Sequence, residues 1–83
     1  MPDRNNHMTL AELRNGMRAD ITAMNASDPG IIRLMTLGLV EGVAVEFRNA
    51  AIGGDPIEVS VFGASVSVRL DQARQIEVSP LEP

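Results

Sequence analysis

The side chains able to do chemistry in this chain are few and far apart. One histidine, His7, stands in the opening stretch MPDRNNH, with Asp3 the nearest acidic residue before it. One imidazole on a polar arm builds neither a histidine-based metal site nor a catalytic triad. Cys is absent, and all 7 basic residues are Arg. That removes thiolate chemistry, disulfides, Cys-based zinc sites, a P-loop lysine and Schiff-base catalysis. The carboxylates are scattered over outward strand positions. Glu46 and Glu58 are the one pair that neighbouring strands could bring near each other, and there they read as solvated face charges. Gly53-Gly54-Asp55-Pro56 has the glycines of a phosphate cradle, but a strand follows it where such a loop needs a helix N-terminus. It reads as a turn. Met17 and Met35 fall on apolar faces, where methionine fills a core rather than holds a soft metal.

Composition narrows the function further. The 83 residues make one domain, too small for a sizeable internal site. The net charge is −4 and aromatic residues are 2% of the chain, which argues against a nucleic-acid partner. No apolar run approaches the ~18 residues that span a bilayer, and the first residues lack a secretory hydrophobic segment. The expectation is a cytoplasmic protein without direct membrane insertion. Residues 1–7 read as a polar arm, 8–78 as the folded domain and 79–83 as a tail.

The elements follow from periodicity. Thr9 and Glu12 have capping-box spacing, Met8 and Leu13 are placed for a hydrophobic staple, and Asn15-Gly16 supplies a left-handed stop. A brief helix is expected between them. Met17 to Met24 alternates at period two, with Met17, Ala19, Ile21 and Ala23 inward. Asp28-Pro29 is a helix start. Ile31, Leu34 and Met35 then share one face, leaving Ile32, Arg33 and Thr36 off it, and Gly38-Leu39 suits a Schellman end. Strands follow at Val43–Arg48, Ile57–Phe62, Ser65–Leu70 and Gln75–Val78, with 49–55 a loop and Asp71–Arg74 one helical turn. Gly63-Ala64 reads as a two-residue turn of type II′. About five strands in so short a chain must protect their edges. The fold expected is mainly β, a small SH3-like barrel with short helical insertions; an OB-like barrel or an open α+β sheet is the alternative. Proline-rich peptide recognition, common in such barrels, needs an aromatic groove this chain lacks. Phe62 stands out, since parity places it outward beside the hairpin turn.

The order of these signals resembles the FeoA family. The match runs through Thr9, Leu10, Glu12, Leu13 and Gly16, then Arg33, Leu34, Leu37, Gly38, Leu39 and Gly42. Gly54, Asp55, Pro56, Ile57, Gly63, Arg69, Ala73, Ile76 and Val78 complete it. The resemblance spans Met8 to Val78, and its specificity lies in order and spacing rather than in any one motif. It implies an SH3-like barrel and a non-enzymatic, cytoplasmic role in bacterial ferrous iron uptake. The implied partner is the cytoplasmic GTPase region of the FeoB permease. The same domain type closes DtxR-like metal-dependent repressors, which makes a direct metal carrier or sensor the alternative, with weak metal binding through residues such as Asp55, Glu58 and Glu46. No cofactor and no resident metal site are expected. Many family members carry two adjacent basic residues on the helix and a proline before the second glycine. Here Ile32 precedes Arg33 and Glu41 precedes Gly42, so docking through a basic pair would be altered or weaker. The candidate partner surface is Ile32, Arg33 and Thr36 of the helix, with Arg69 and Phe62.

Overall fold

The computed structural model describes residues 8–81, so the polar arm with His7 lies outside the described residues. Nine short elements follow in order: β1 (Met8–Thr9), a 3-10 turn (Leu10–Glu12), β2 (Arg18–Met24), α1 (Pro29–Thr36), β3 (Ala44–Ala50), β4 (Ile57–Val61), β5 (Ala64–Val68), α2 (Leu70–Ala73) and β6 (Ile76–Pro80). The six strands form one antiparallel sheet in the order β1-β6-β2-β3-β4-β5. The β2-to-β5 run is a meander, and β6 returns across it to pair with β2.

Period-two alternation put the core where the sequence places it. Ala19 and Ile21 of β2, Val45 and Phe47 of β3, Ile57, Val59 and Val61 of β4, Val66 and Val68 of β5, and Ile76 and Val78 of β6 are all buried. Ile31 and Leu34 add the inner stripe of α1, with Met17 and Met35 packed at the margin of the core. Each Val, Leu, Ile or Phe side chain so withdrawn from water stabilises the fold by roughly 1.5–3 kcal/mol. No polar side chain is buried among the described residues, so the interior side chains are held by packing and the strands by their backbone ladders.

The arrangement is SH3-like, but the sheet stays open. No ladder joins β5 to β1 among the described residues. The physical reason is local: β1 is two residues long, and the chain leaves β5 directly into α2, which packs on the 3-10 turn. Short helical pieces thus cover what hydrogen bonding would otherwise close. The strand count is six rather than about five, because Met8–Thr9 pairs with Val78 and Glu77 before the 3-10 turn begins. At that turn the Glu12 carboxylate accepts from the Thr9 N–H at 3.2 Å and from the Thr9 hydroxyl at 3.3 Å. The Thr9–Glu12 pair is thus the capping box that its spacing predicts.

Three further boundaries differ from the sequence expectation. The strand expected to stop at Arg48 continues to Ala50, carried past a register shift between Phe47 and Asn49. Leu70 opens α2 instead of closing β5. The last strand runs on through Ser79 and Pro80, which pair with Asp20 and Ala19, and Leu81 donates its N–H to the Arg18 carbonyl. The assigned tail therefore begins inside the sheet.

Candidate docking surface

Helix α1 is fixed at both ends by bonds the sequence specifies. At its start the Asp28 carboxylate accepts the Gly30 N–H at 2.8 Å, with Pro29 in the first turn. The same carboxylate accepts from the Gln75 side-chain amide at 2.8 Å, tying α1 to the segment before β6. The Gln75 bond first, and then the Gly30 N–H, hold the Asp28 carboxyl below its ordinary value of 3.8. At its end the Leu39 N–H donates to the Leu34 carbonyl and the Gly38 N–H to the Met35 carbonyl, the paired bonds of a Schellman motif. Gly38 takes φ +108, and Leu39 is wholly buried.

With Ile31 and Leu34 turned inward, Ile32, Arg33, Thr36 and Leu37 are exposed. The Thr36 hydroxyl donates to the Arg33 carbonyl at 2.6 Å, which satisfies it within the helix. Arg33 and Arg69, distant in sequence, line one cleft of about 340 Å³ with Gly30, Leu34, Leu37, Pro56, Ser67 and Gln72. Ile32 and Thr36 are not among its lining residues.

Phe62 lies elsewhere, at the tip of the β4–β5 hairpin. Val61 pairs with Ala64, so the two turn residues are Phe62 and Gly63 rather than Gly63 and Ala64. Their φ values are +51 and +81, the two positive angles of a type I′ turn rather than the II′ form expected. Phe62 is 83% exposed. A bulky residue in the left-handed region is a genuine outlier, about 1–2 kcal/mol above its right-handed form. The C-terminal end of α1 passes close by, since a side chain at Gly38 would touch the Val61 methyls at 4.0 Å. Exposed Leu37 and exposed Phe62 therefore sit on adjoining segments.

Thus the five sequence-predicted residues do not form one site: Arg33 and Arg69 share the cleft, Ile32 and Thr36 are exposed on α1 outside it, and Phe62 is at the hairpin tip beside the end of α1. The sequence did not point to Leu37, Pro56, Ser67 or Gln72. Leu37 carried a signal, an apolar residue at the helix C-cap beyond the inner stripe, whereas the others depend on long-range placement. The Gly53-Gly54 segment is turn structure: both glycines have positive φ, Gly54 donates to the Ala51 carbonyl, and Asp55 accepts the Leu70 N–H at 3.1 Å. Glu46 faces Ser60 and Glu58 faces Asn49, so the two carboxylates are not opposite each other. Glu46 lies 3.8 Å from Arg48 instead. Among the described residues no three His, Cys, Asp or Glu side chains gather into a metal-binding group.

Comparison with known proteins places this geometry in context. The profile of the FeoA domain matches residues 8–80. A candidate Fe(2+) transport protein A of Campylobacter jejuni is 31% identical over 72 residues, covering 87% of this chain and 97% of its own length. The solution structure of the FeoA protein from Chlorobium tepidum is 41% identical, with a TM-score of 0.82 over 90% of this chain and 71% of that one. The zinc-complexed FeoA of Stenotrophomonas maltophilia is 30% identical, with a TM-score of 0.72 over 87% of this chain and 89% of that one. That relative is described as a procaryotic SH3 domain protein and a possible ferrous iron transport activating factor.

Proposed function

The chain belongs to the FeoA family, small accessory proteins of ferrous iron transport, and on that premise we propose that it acts as a non-enzymatic docking module for the FeoB permease. It works in the cytoplasm, binding the permease's GTPase region to regulate or assemble it. The observation that carries this reading is Phe62: an aromatic ring 83% exposed on a left-handed backbone, where it adds almost nothing to packing. The left-handed backbone beneath the ring costs about 1–2 kcal/mol in the free chain, and the ring it displays gains burial only when a partner covers it. Leu37 and Ile32 extend the apolar surface along α1, 52% and 47% exposed, and Arg33, Thr36 and Arg69 supply its polar margin.

The test is ferrous iron uptake in cells lacking the chain, restored with wild type or with Phe62→Ala. The expected result is loss of uptake on deletion, recovery with wild type, and partial recovery with the variant at equal protein level. Uptake indifferent to deletion would remove the reading. Uptake fully restored by Phe62→Ala would remove Phe62 from the docking surface.

A second reading, direct carriage or sensing of a divalent metal, draws support from the zinc-bound Stenotrophomonas relative. Ferrous iron favours imidazole or gathered carboxylates, and the described residues offer no such group. Anaerobic calorimetry with ferrous iron separates the two readings: tight stoichiometric uptake supports carriage, and its absence leaves docking.

A further inference from the structure

The cleft between α1 and β5 has a chemistry of its own. Its two charged lining side chains are both cationic, Arg33 from the helix and Arg69 from the residue after β5, in a chain of net charge −4. Neither guanidinium has an ion-pair or hydrogen-bond partner among the described residues, whereas Arg48 has Glu46. Asp28, at the start of α1, accepts from Gly30 and Gln75, and Asp55 accepts from the Leu70 N–H, and neither forms an ion pair with the two arginines. The Gln72 carboxamide takes the Arg69 N–H on its oxygen, leaving its NH2 group against Gly30 at the cleft wall. The Ser67 hydroxyl completes a rim rich in donors. The rest of the lining is apolar, formed by Leu34, Leu37 and Pro56.

We propose that this cleft receives an acidic segment of the docking partner, its carboxylates paired with Arg33 and Arg69 and an apolar side chain of the same segment resting on Leu37 and Pro56. The assignment rests on the docking reading above and names its chemistry. Two planar guanidinium groups recognise carboxylates in bidentate fashion. The chain's net charge of −4 disfavours acidic segments in general, and the cleft offsets it locally by bringing two guanidinium groups beside an apolar wall.

The experiment uses the 15N-labelled full chain in two arms. In the first, the peptide acetyl-Asp-Glu-Leu-Asp-Glu-amide is titrated in, with acetyl-Lys-Lys-Leu-Lys-Lys-amide as control. Shifts confined to Arg33, Leu37, Ser67, Arg69 and Gln72 with the acidic peptide alone are the expected result. Shifts absent, or equal with both peptides, overturn the proposal. In the second arm the purified FeoB cytoplasmic region is titrated into wild type, Arg33→Glu/Arg69→Glu and the milder Arg33→Gln/Arg69→Gln, each first shown to keep a dispersed, native-like spectrum. A loss of affinity of tenfold or more in the reversed variant, smaller in the neutral one and diminished by salt, supports the cleft. Wild-type binding with unchanged affinity in both variants overturns the cleft and leaves docking intact. No binding by wild type overturns the docking reading, and with it the assignment of the partner. Line broadening that tracks self-association of the labelled chain identifies a second copy as the occupant and also overturns the proposal.

Discussion

Replacing Phe62 separates the backbone cost of the hairpin tip from the ring it displays. At φ +51 an L-residue with a large side chain lies about 1–2 kcal/mol above its preferred region, whereas Asn visits that region readily and Asn-Gly is a favoured type I′ pair. With the residue 83% exposed, only about a sixth of its roughly 200 Å² is withdrawn from water. At about 25 cal/mol/Å² that portion is worth at most about 0.9 kcal/mol. Phe62→Ala loses that contact and keeps the strain, while Phe62→Asn loses the contact and relieves the strain. The pair therefore differs by about 1 kcal/mol, or about 4–8 °C in Tm for a domain of this size. Thermal unfolding followed by circular dichroism should rank Asn at or above wild type and Ala below it. Both variants should bind the permease region more weakly, because both lack the ring. Equal Tm values for the Asn and Ala variants would refute the claim that the backbone at this tip is held against its preference.

Three other outcomes follow from the packing and the caps. Ile31→Ala, at a position with no exposed surface, should cost about 2–5 kcal/mol, a large share of the roughly 4–12 kcal/mol available to a domain this long, and urea titration would show it. Gly38→Ala should cost about 1–2 kcal/mol through its positive φ alone, since the added methyl meets only the Val61 methyls at ordinary contact distance; a Tm within a degree of wild type would contradict this. The Asp28 carboxyl should titrate below 3.8 by NMR and rise towards it in Gln75→Ala. Because its folded value is depressed, the stability it contributes is fully present above the unfolded value and lost as pH falls through the folded one, that is, below about 3.8.

The elements visible in the sequence were those with a strong local cause. Asp28-Pro29 at the start of α1 and Gly38-Leu39 at its end determined that helix because capping is chemistry between near neighbours. Alternation located β4 and β5 because one face of each is wholly apolar. The type of the β4–β5 turn was not visible, because Asn, Asp or Gly at the first position is the usual signal of a type I′ turn and here a phenylalanine takes that place. The open sheet stood only as an alternative to the closed barrel, since closure depends on where β1 and α2 come to rest in space. For the candidate site, facing along α1 exposed Ile32, Arg33 and Thr36 from sequence alone. The meeting of Arg33 with Arg69 needed the fold, because residues separated by a strand meander share a cleft only through its register. Pro56 and Gln72 reached the same cleft by that route and left no local trace.

The central claim is that this chain recognises the cytoplasmic region of the FeoB permease directly. Calorimetric titration of the purified chain into that region, with and without guanine nucleotide, tests it most simply. The account predicts saturable binding that weakens at least tenfold in Phe62→Ala while the fold is retained. The absence of any binding heat up to millimolar chain, under every nucleotide condition, would contradict it.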